Sequence, residues 1–157
     1  LKKKQQNFTY LVCNLNKNES FDLLKLAEIN PSKYPFLLES SSRGNKLNRS
    51  SILFFSPRIV LKKDKKNSFF SDLKSIWQTE KLSQHDIYED DYKIPFFGGW
   101  FIYLGYEMAR EVEIKLKIPD SPFILPDAFA ARVSTAIVYD NISRKLFLVS
   151  VLYFQFF

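Results

Sequence analysis

The chain has 157 residues, enough for a domain-sized core, and its sixteen Phe and eight Tyr within a 46% hydrophobic composition exclude a disordered polymer. No apolar run approaches the ~18 residues of a membrane-crossing helix, so no span and no membrane partner is expected. The formal net charge of +6 is modest and dispersed, and gives no nucleic-acid footprint by itself.

The opening "LKKKQQNF" is basic but lacks an apolar core and a small-residue cleavage site, so it does not read as a secretory leader. A start at Leu and the aromatic end "VLYFQFF" suggest a chain cut from a longer product. Phe8, Tyr10 and Val12 alternate with Thr9 and Leu11, which predicts a strand over 7–13. Cys13, the single cysteine, cannot close an internal disulfide; this fits a reducing compartment such as the cytoplasm, and a core position is expected for it. Phe21, Leu23, Leu24 and Ala27 recur at helical spacing behind Ser20 as a cap and ahead of Pro31, predicting a helix over 20–29. "PFLLES" and "SILFFS" predict two short strands, joined by about a dozen residues where hairpin loops use two to five. "RIVLKK" predicts a third, after a bend at Pro57. The basic run at 61–68, "LKKDKKNS", fits a solvated turn better than a phosphate-binding patch.

Phe69, Leu73, Ile76 and Trp77 form an apolar stripe, with Glu80 at the same helical spacing, behind an Asn67-Ser68 cap, predicting a helix over 69–80. The mixed-charge "KLSQHDIYEDDYKIP" is a loop that carries the sole histidine, His85, at the surface, with Glu89, Asp90 and Asp91 as an acidic stretch. Gly98, Gly99 and Gly105 bracket an aromatic strand at 100–104 and predict positive φ or close backbone approach at its ends. Tyr106 and Glu107 then open a helix whose N-terminus suits a carboxylate. In "ILPDAFAARVSTAIVYDNISRKLFLVSVLY", Val133, Thr135, Ile137 and Tyr139 alternate, as do Leu146, Leu148, Ser150 and Leu152, predicting an antiparallel hairpin turning at 140–143. The uncharged tail at 153–157 is a self-association hazard. Together these make one α+β domain over 1–157, a mostly antiparallel sheet with two main helices packed on it.

No residue pattern supplies catalysis. His and Cys lack metal-ligand spacing, no phosphate-cradling glycine loop is present, and no histidine is placed to serve a nucleophile. Glu39 with Ser40, Ser41 and Ser42, and Arg43 or Arg49, could hold a polar ligand at a strand end, although residue types alone favour a plain polar connection.

Three separated motifs, "YPFLLESSSRGN…RSSILFFSP", "IPFFGGWFIYLGYEMA" and "LPDAFAARVSTAIVYD", resemble in order and spacing the N-terminal domain of component I of the chorismate-aminating enzymes, anthranilate synthase and aminodeoxychorismate synthase. The resemblance covers roughly residues 8–150. "GGWFIYLGYEMA" and "RSSILFFSP" are more similar to the aminodeoxychorismate branch, which serves para-aminobenzoate and folate synthesis; the alternative is the tryptophan branch. The resemblance implies the front part of a larger two-domain αββα enzyme. Its catalytic, chorismate-binding C-terminal domain would lie outside this chain, which alone would be non-catalytic, with no cofactor of its own and Mg²⁺ used by the full enzyme. It implies that domain and a glutamine amidotransferase subunit as partners, and a pocket for L-tryptophan carried here by Leu38, Glu39, Ser40 and Arg49. Ser50 stands where the family often has an aromatic residue, followed by Ser51. The competing classes are a stand-alone tryptophan sensor and a single-strand nucleic-acid binder, the latter disfavoured by the core-like spacing of the aromatics.

Overall fold

The computed structural model describes residues 2–5, 8–14, 21–40, 49–64, 66, 68–79, 88–89 and 92–151. Within them the chain divides into two compact units, one built from Leu1–Pro57, Asp86–Gly99 and Val133–Phe157, the other from Arg58–His85 and Trp100–Arg132. Both are strand-rich with short helices, an α+β fold as expected.

In the first unit, strands β1 (Lys2–Gln5), β2 (Phe8–Asn14), β3 (Phe36–Leu38) and β4 (Ser50–Phe55) join β10 (Thr135–Asp140) and β11 (Lys145–Val151). Among the described residues they form a six-stranded sheet in the order β1-β2-β11-β10-β4-β3, every neighbouring pair antiparallel. Its register aligns Val12, Phe147, Val138 and Ile52 in one rung across four strands. That rung lies in the core, with Val149 and Val151 from β11 and with Ile94, Phe96 and Phe97 from the segment that follows a small hairpin of β6 (Tyr88–Glu89) and β7 (Tyr92–Lys93). Cross-strand pairs of aromatic and β-branched side chains are the unit of stabilisation in such a sheet. Helix α1 (Leu23–Ile29) packs on β3 and β4 and buries Leu23.

The antiparallel hairpin expected from the alternation is present as β10 and β11, with Ala136 and Val138 buried opposite Val149 and Phe147, and Leu146 of β11 buried as well. Cys13 is exposed, contrary to the core expectation, because the alternation that turns Val12 inward puts its neighbour on the opposite face. The first helix starts at Leu23, later than expected, and its cap is Asp22, whose Oδ1 accepts from the Lys25 amide at 3.0 Å. Ser20, His85, Asp90, Asp91 and the tail 153–157 fall outside the described residues.

The second unit holds a sheet of β5 (Arg58–Lys62), β9 (Ala128–Val133) and β8 (Gly99–Leu104) in the order β5-β9-β8, with helix α2 (Phe69–Thr79). Phe69 is fully buried against Ala128, Ala130 and Met108, and Leu73, Leu61 and Trp100 close around them. Small alanines on β9 leave room for the Phe69 ring, while Phe101 and Tyr103 stack on Phe129. A 3-10 turn at Tyr106–Met108, with Glu107 in its first turn, runs into helix α3 (Ala109–Val112). Gly98 and Gly99 take φ of 100° and 156°, conformations that disfavour a side chain. A Cβ on Gly105 would come within 2.9 Å of the Asp127 carbonyl oxygen, so both ends of β8 need glycine, for different reasons. The β-rich run ahead of the expected turn at 140–143 holds two strands broken at Ser134, each belonging to a different sheet.

Candidate functional site: a strand-end polar cluster

Three strand ends converge at one rim of the six-stranded sheet: β3 finishes at Leu38, β4 starts at Ser50, and β10 finishes at Asp140, which pairs with Ser50. The connection between β3 and β4 leaves Leu38 half exposed, Glu39 exposed and Ser40 half-buried. The Ser40 amide donates to Ser51 Oγ at 3.2 Å, and the Asn141 side-chain amide donates to the same oxygen at 3.2 Å. Asn141 also gives its backbone N–H to the Arg49 carbonyl at 2.8 Å. Ser40, Arg49 and Ser51 are thereby tied to a turn from a distant hairpin.

The turn is organised by Asp140, which has no exposed surface. The Arg49 guanidinium donates to it at two points, Nε to Oδ1 at 2.7 Å and Nη2 to Oδ2 at 2.5 Å. The Ser143 hydroxyl and the Ile142 amide add two more donors. Burial opposes ionisation of this carboxyl, but the hydrogen bonds from Arg49, Ser143 and the Ile142 amide, with the Arg49 charge, outweigh it and hold its pKa below the ordinary aspartate value.

The four residues singled out from the sequence therefore divide. Leu38, Glu39 and Ser40 present an apolar side chain, a carboxylate and a hydroxyl at the rim. Arg49 stands beside them, with its guanidinium engaged by Asp140. Asp140, Asn141 and Ser51 were not singled out; the Asp-Asn-x-Ser sequence has the residue types of a plain turn, and nothing local reveals that the turn reaches β4. Ser41, Ser42 and Arg43 lie outside the described residues.

The second unit has a cleft of about 500 Å³ lined by Lys63, Ser68, Glu107, Arg110, Glu111 and Asp127, among others. Lys63 Nζ lies 2.9 Å from Glu111 Oε2, and Arg110 pairs with Asp120 at 3.0 Å. The basic run at 61–68 is thus only partly a solvated turn: Lys62 ends β5 and Lys63 is held in an ion pair. Among the described residues no group of three His, Cys, Asp or Glu is arranged to hold a metal. Nor is any helix among them long and apolar enough to cross a membrane.

No protein-family model matches the chain. Anthranilate synthase component 1 of Saccharomyces cerevisiae (strain ATCC 204508 / S288c) is 32% identical to it over 126 residues, a match that takes in 78% of this chain and 25% of that protein. The chain thus spans about a quarter of the length of the curated relative it matches. This likeness supports the resemblance to component I of the chorismate-using enzymes that the three motifs carry.

Proposed function

We propose that this chain is the front, ligand-binding and scaffolding part of a component I enzyme of the anthranilate synthase type. The observation that carries the reading is the likeness to anthranilate synthase component 1 over 126 residues. In such an enzyme chorismate is aminated with ammonia from a glutamine amidotransferase subunit, and the acid–base groups and Mg²⁺ ligands belong to a separate chorismate-binding domain. The described residues hold no suitable donor set for Mg²⁺, so no step through the metal is assigned to them. Their part is to bind and to support. At the rim, Leu38 offers apolar contact to an aromatic ring, while Glu39 and Ser40 offer a carboxylate and a hydroxyl to an amino acid's ammonium, which suits L-tryptophan.

A second reading keeps the same role in aminodeoxychorismate synthase, and it is favoured by "RSSILFFSP" and "GGWFIYLGYEMA". Product analysis separates the two. The chain, combined with a chorismate-binding domain and an amidotransferase, is expected to restore anthranilate formation from chorismate; 4-amino-4-deoxychorismate as product would select the second reading. No binding between the chain and the domain, and no gain in activity, would sink both. Calorimetry with L-tryptophan tests the ligand site directly, with heat expected from the chain and a weaker response from Ser40→Ala.

A further inference from the structure

Natural sheets protect their open edges with charged residues, proline, bulges or very short strands, because an unguarded edge pairs with any extended chain that reaches it. The two larger sheets have four edges among the described residues, and three of them carry such a device. β1 is "KKKQ", with three lysines in four residues. β3 is only three residues long. β5 starts at Arg58, ends at Lys62 and shifts register between Ile59 and Leu61. β8 is the exception: outermost in the second unit's sheet and six residues long, it reads "GWFIYL", with no charge and no proline.

The direction of the open backbone groups follows from one hydrogen bond. Just past β8, the Gly105 amide donates to the Asp127 carbonyl at 2.7 Å, immediately ahead of β9. Successive residues of a strand turn their N–H and C=O to opposite sides, so Tyr103 faces β9 as Gly105 does, and its ring stacks on Phe129 of that strand. Ile102 and Leu104 therefore direct their backbone groups away from β9, and their side chains are 45% and 49% exposed. The match to the curated relative takes in 25% of that protein, so a component I enzyme brings further polypeptide to this chain. We propose that β8 is the docking edge for it: an extended segment of the chorismate-binding domain pairs with Ile102 and Leu104 and sets apolar side chains beside theirs. This rests on the component I reading given above. The added strand continues the β5-β9-β8 sheet on its open side and covers the exposed flank of β8.

The test is residue-resolved amide hydrogen exchange on the full chain, alone and with the chorismate-binding domain used in the activity test. The Ile102 and Leu104 amides are expected to exchange fast in the free chain and at least about tenfold more slowly in the complex, while the Tyr103 amide is slow in both. Ile102→Pro removes only an outward N–H, which the ladder with β9 does not use, so it is expected to leave the unfolding midpoint nearly unchanged and to weaken the complex about tenfold or more. Ile102→Ala keeps the N–H and is expected to weaken it about two- to fivefold, the size of a lost cross-strand pair. A complex that forms with Ile102 and Leu104 exchanging as before overturns the docking edge and leaves the component I reading standing. No complex at all overturns both. Protection that grows with the concentration of the chain alone makes a second copy the occupant and overturns the assignment to the domain. If Ile102→Pro does not fold, the exchange pattern of the unaltered chain decides by itself.

Discussion

Placing a carboxylate at the inner end of an apolar strand costs free energy unless its charge is met, and Asp140 is met at four points. Removing Arg49 leaves that charge buried, so Arg49→Ala is expected to destabilise the chain by about 3–5 kcal/mol in denaturant unfolding, against well under that for a surface substitution. The pH dependence follows from the direction of the shift. A carboxyl whose pKa is lowered by folding binds protons less well when folded, so it stabilises above its unfolded pKa and loses that contribution as pH falls through its folded pKa. Unfolding midpoints should fall on acidification below about pH 4, and Asp140→Asn should flatten that limb while lowering stability at neutral pH. An acid limb unchanged in Asp140→Asn would show that the pair does not set it. Part of this cluster was visible in the residue types: Glu39, Ser40 and Arg49 stand out as polar side chains beside strand ends. Asp140 did not, because its partner is 91 residues away and local pattern carries no record of a pairing at that distance.

At the scale of elements, long-range contacts again decide what local signals leave open. The apolar stripe of α2 was legible, and Phe69 and Leu73 do face the core, but Trp77 on the same stripe is 46% exposed. Of the expected Asn67-Ser68 cap, Asn67 lies outside the described residues, and the first turn is met from elsewhere: Glu111, at the end of the Gly105 turn and α3, accepts from the Phe70 amide at 2.9 Å and from the Ser68 hydroxyl at 3.2 Å. Burial works against ionisation of Glu111, yet the Phe70 and Phe69 amides and Lys63 together hold its pKa below the ordinary glutamate value. A carboxylate here satisfies an open N–H of the first turn and meets the positive end of the helix dipole. Glu111→Ala is expected to cost about 1–2 kcal/mol, as loss of a cap does, and to speed amide hydrogen exchange in the first turn of α2 before the rest of the helix. Uniform protection along α2 in that variant would argue against capping. Strand type and rough position were legible from alternation, whereas sheet membership was not. The period-2 pattern runs through Ser134, and only tertiary pairing separates β9 from β10. β1 escaped because "KKKQ" has no apolar alternation, and its pairing with β2 rests on backbone bonds.

At the scale of the molecule, the feature that most needs an explanation is an apolar run in the second unit. Val112, Ile114, Phe123 and Ile124 are each more than 70% exposed, and Tyr106 and Leu125 lie in the same stretch of chain with 80% and 57% exposure. Single exposed apolar residues are ordinary, but so many within one segment exceed what a soluble surface carries without consequence. Few of them contribute to the core, which is formed by Phe69, Met108, Ala128 and Ala130, so changing them should alter association and leave stability nearly untouched. The chain is expected to bind an anilinonaphthalene dye in its native state and to self-associate in sedimentation as its concentration rises. The double variant Ile114→Lys with Ile124→Lys should lower both signals by half or more while shifting unfolding free energy by less than about 0.5 kcal/mol. Dye binding that survives the two lysines unchanged would place the exposed apolar surface elsewhere. A large loss of stability would mean instead that these side chains are packed in solution, and that the segment belongs to the core of the second unit.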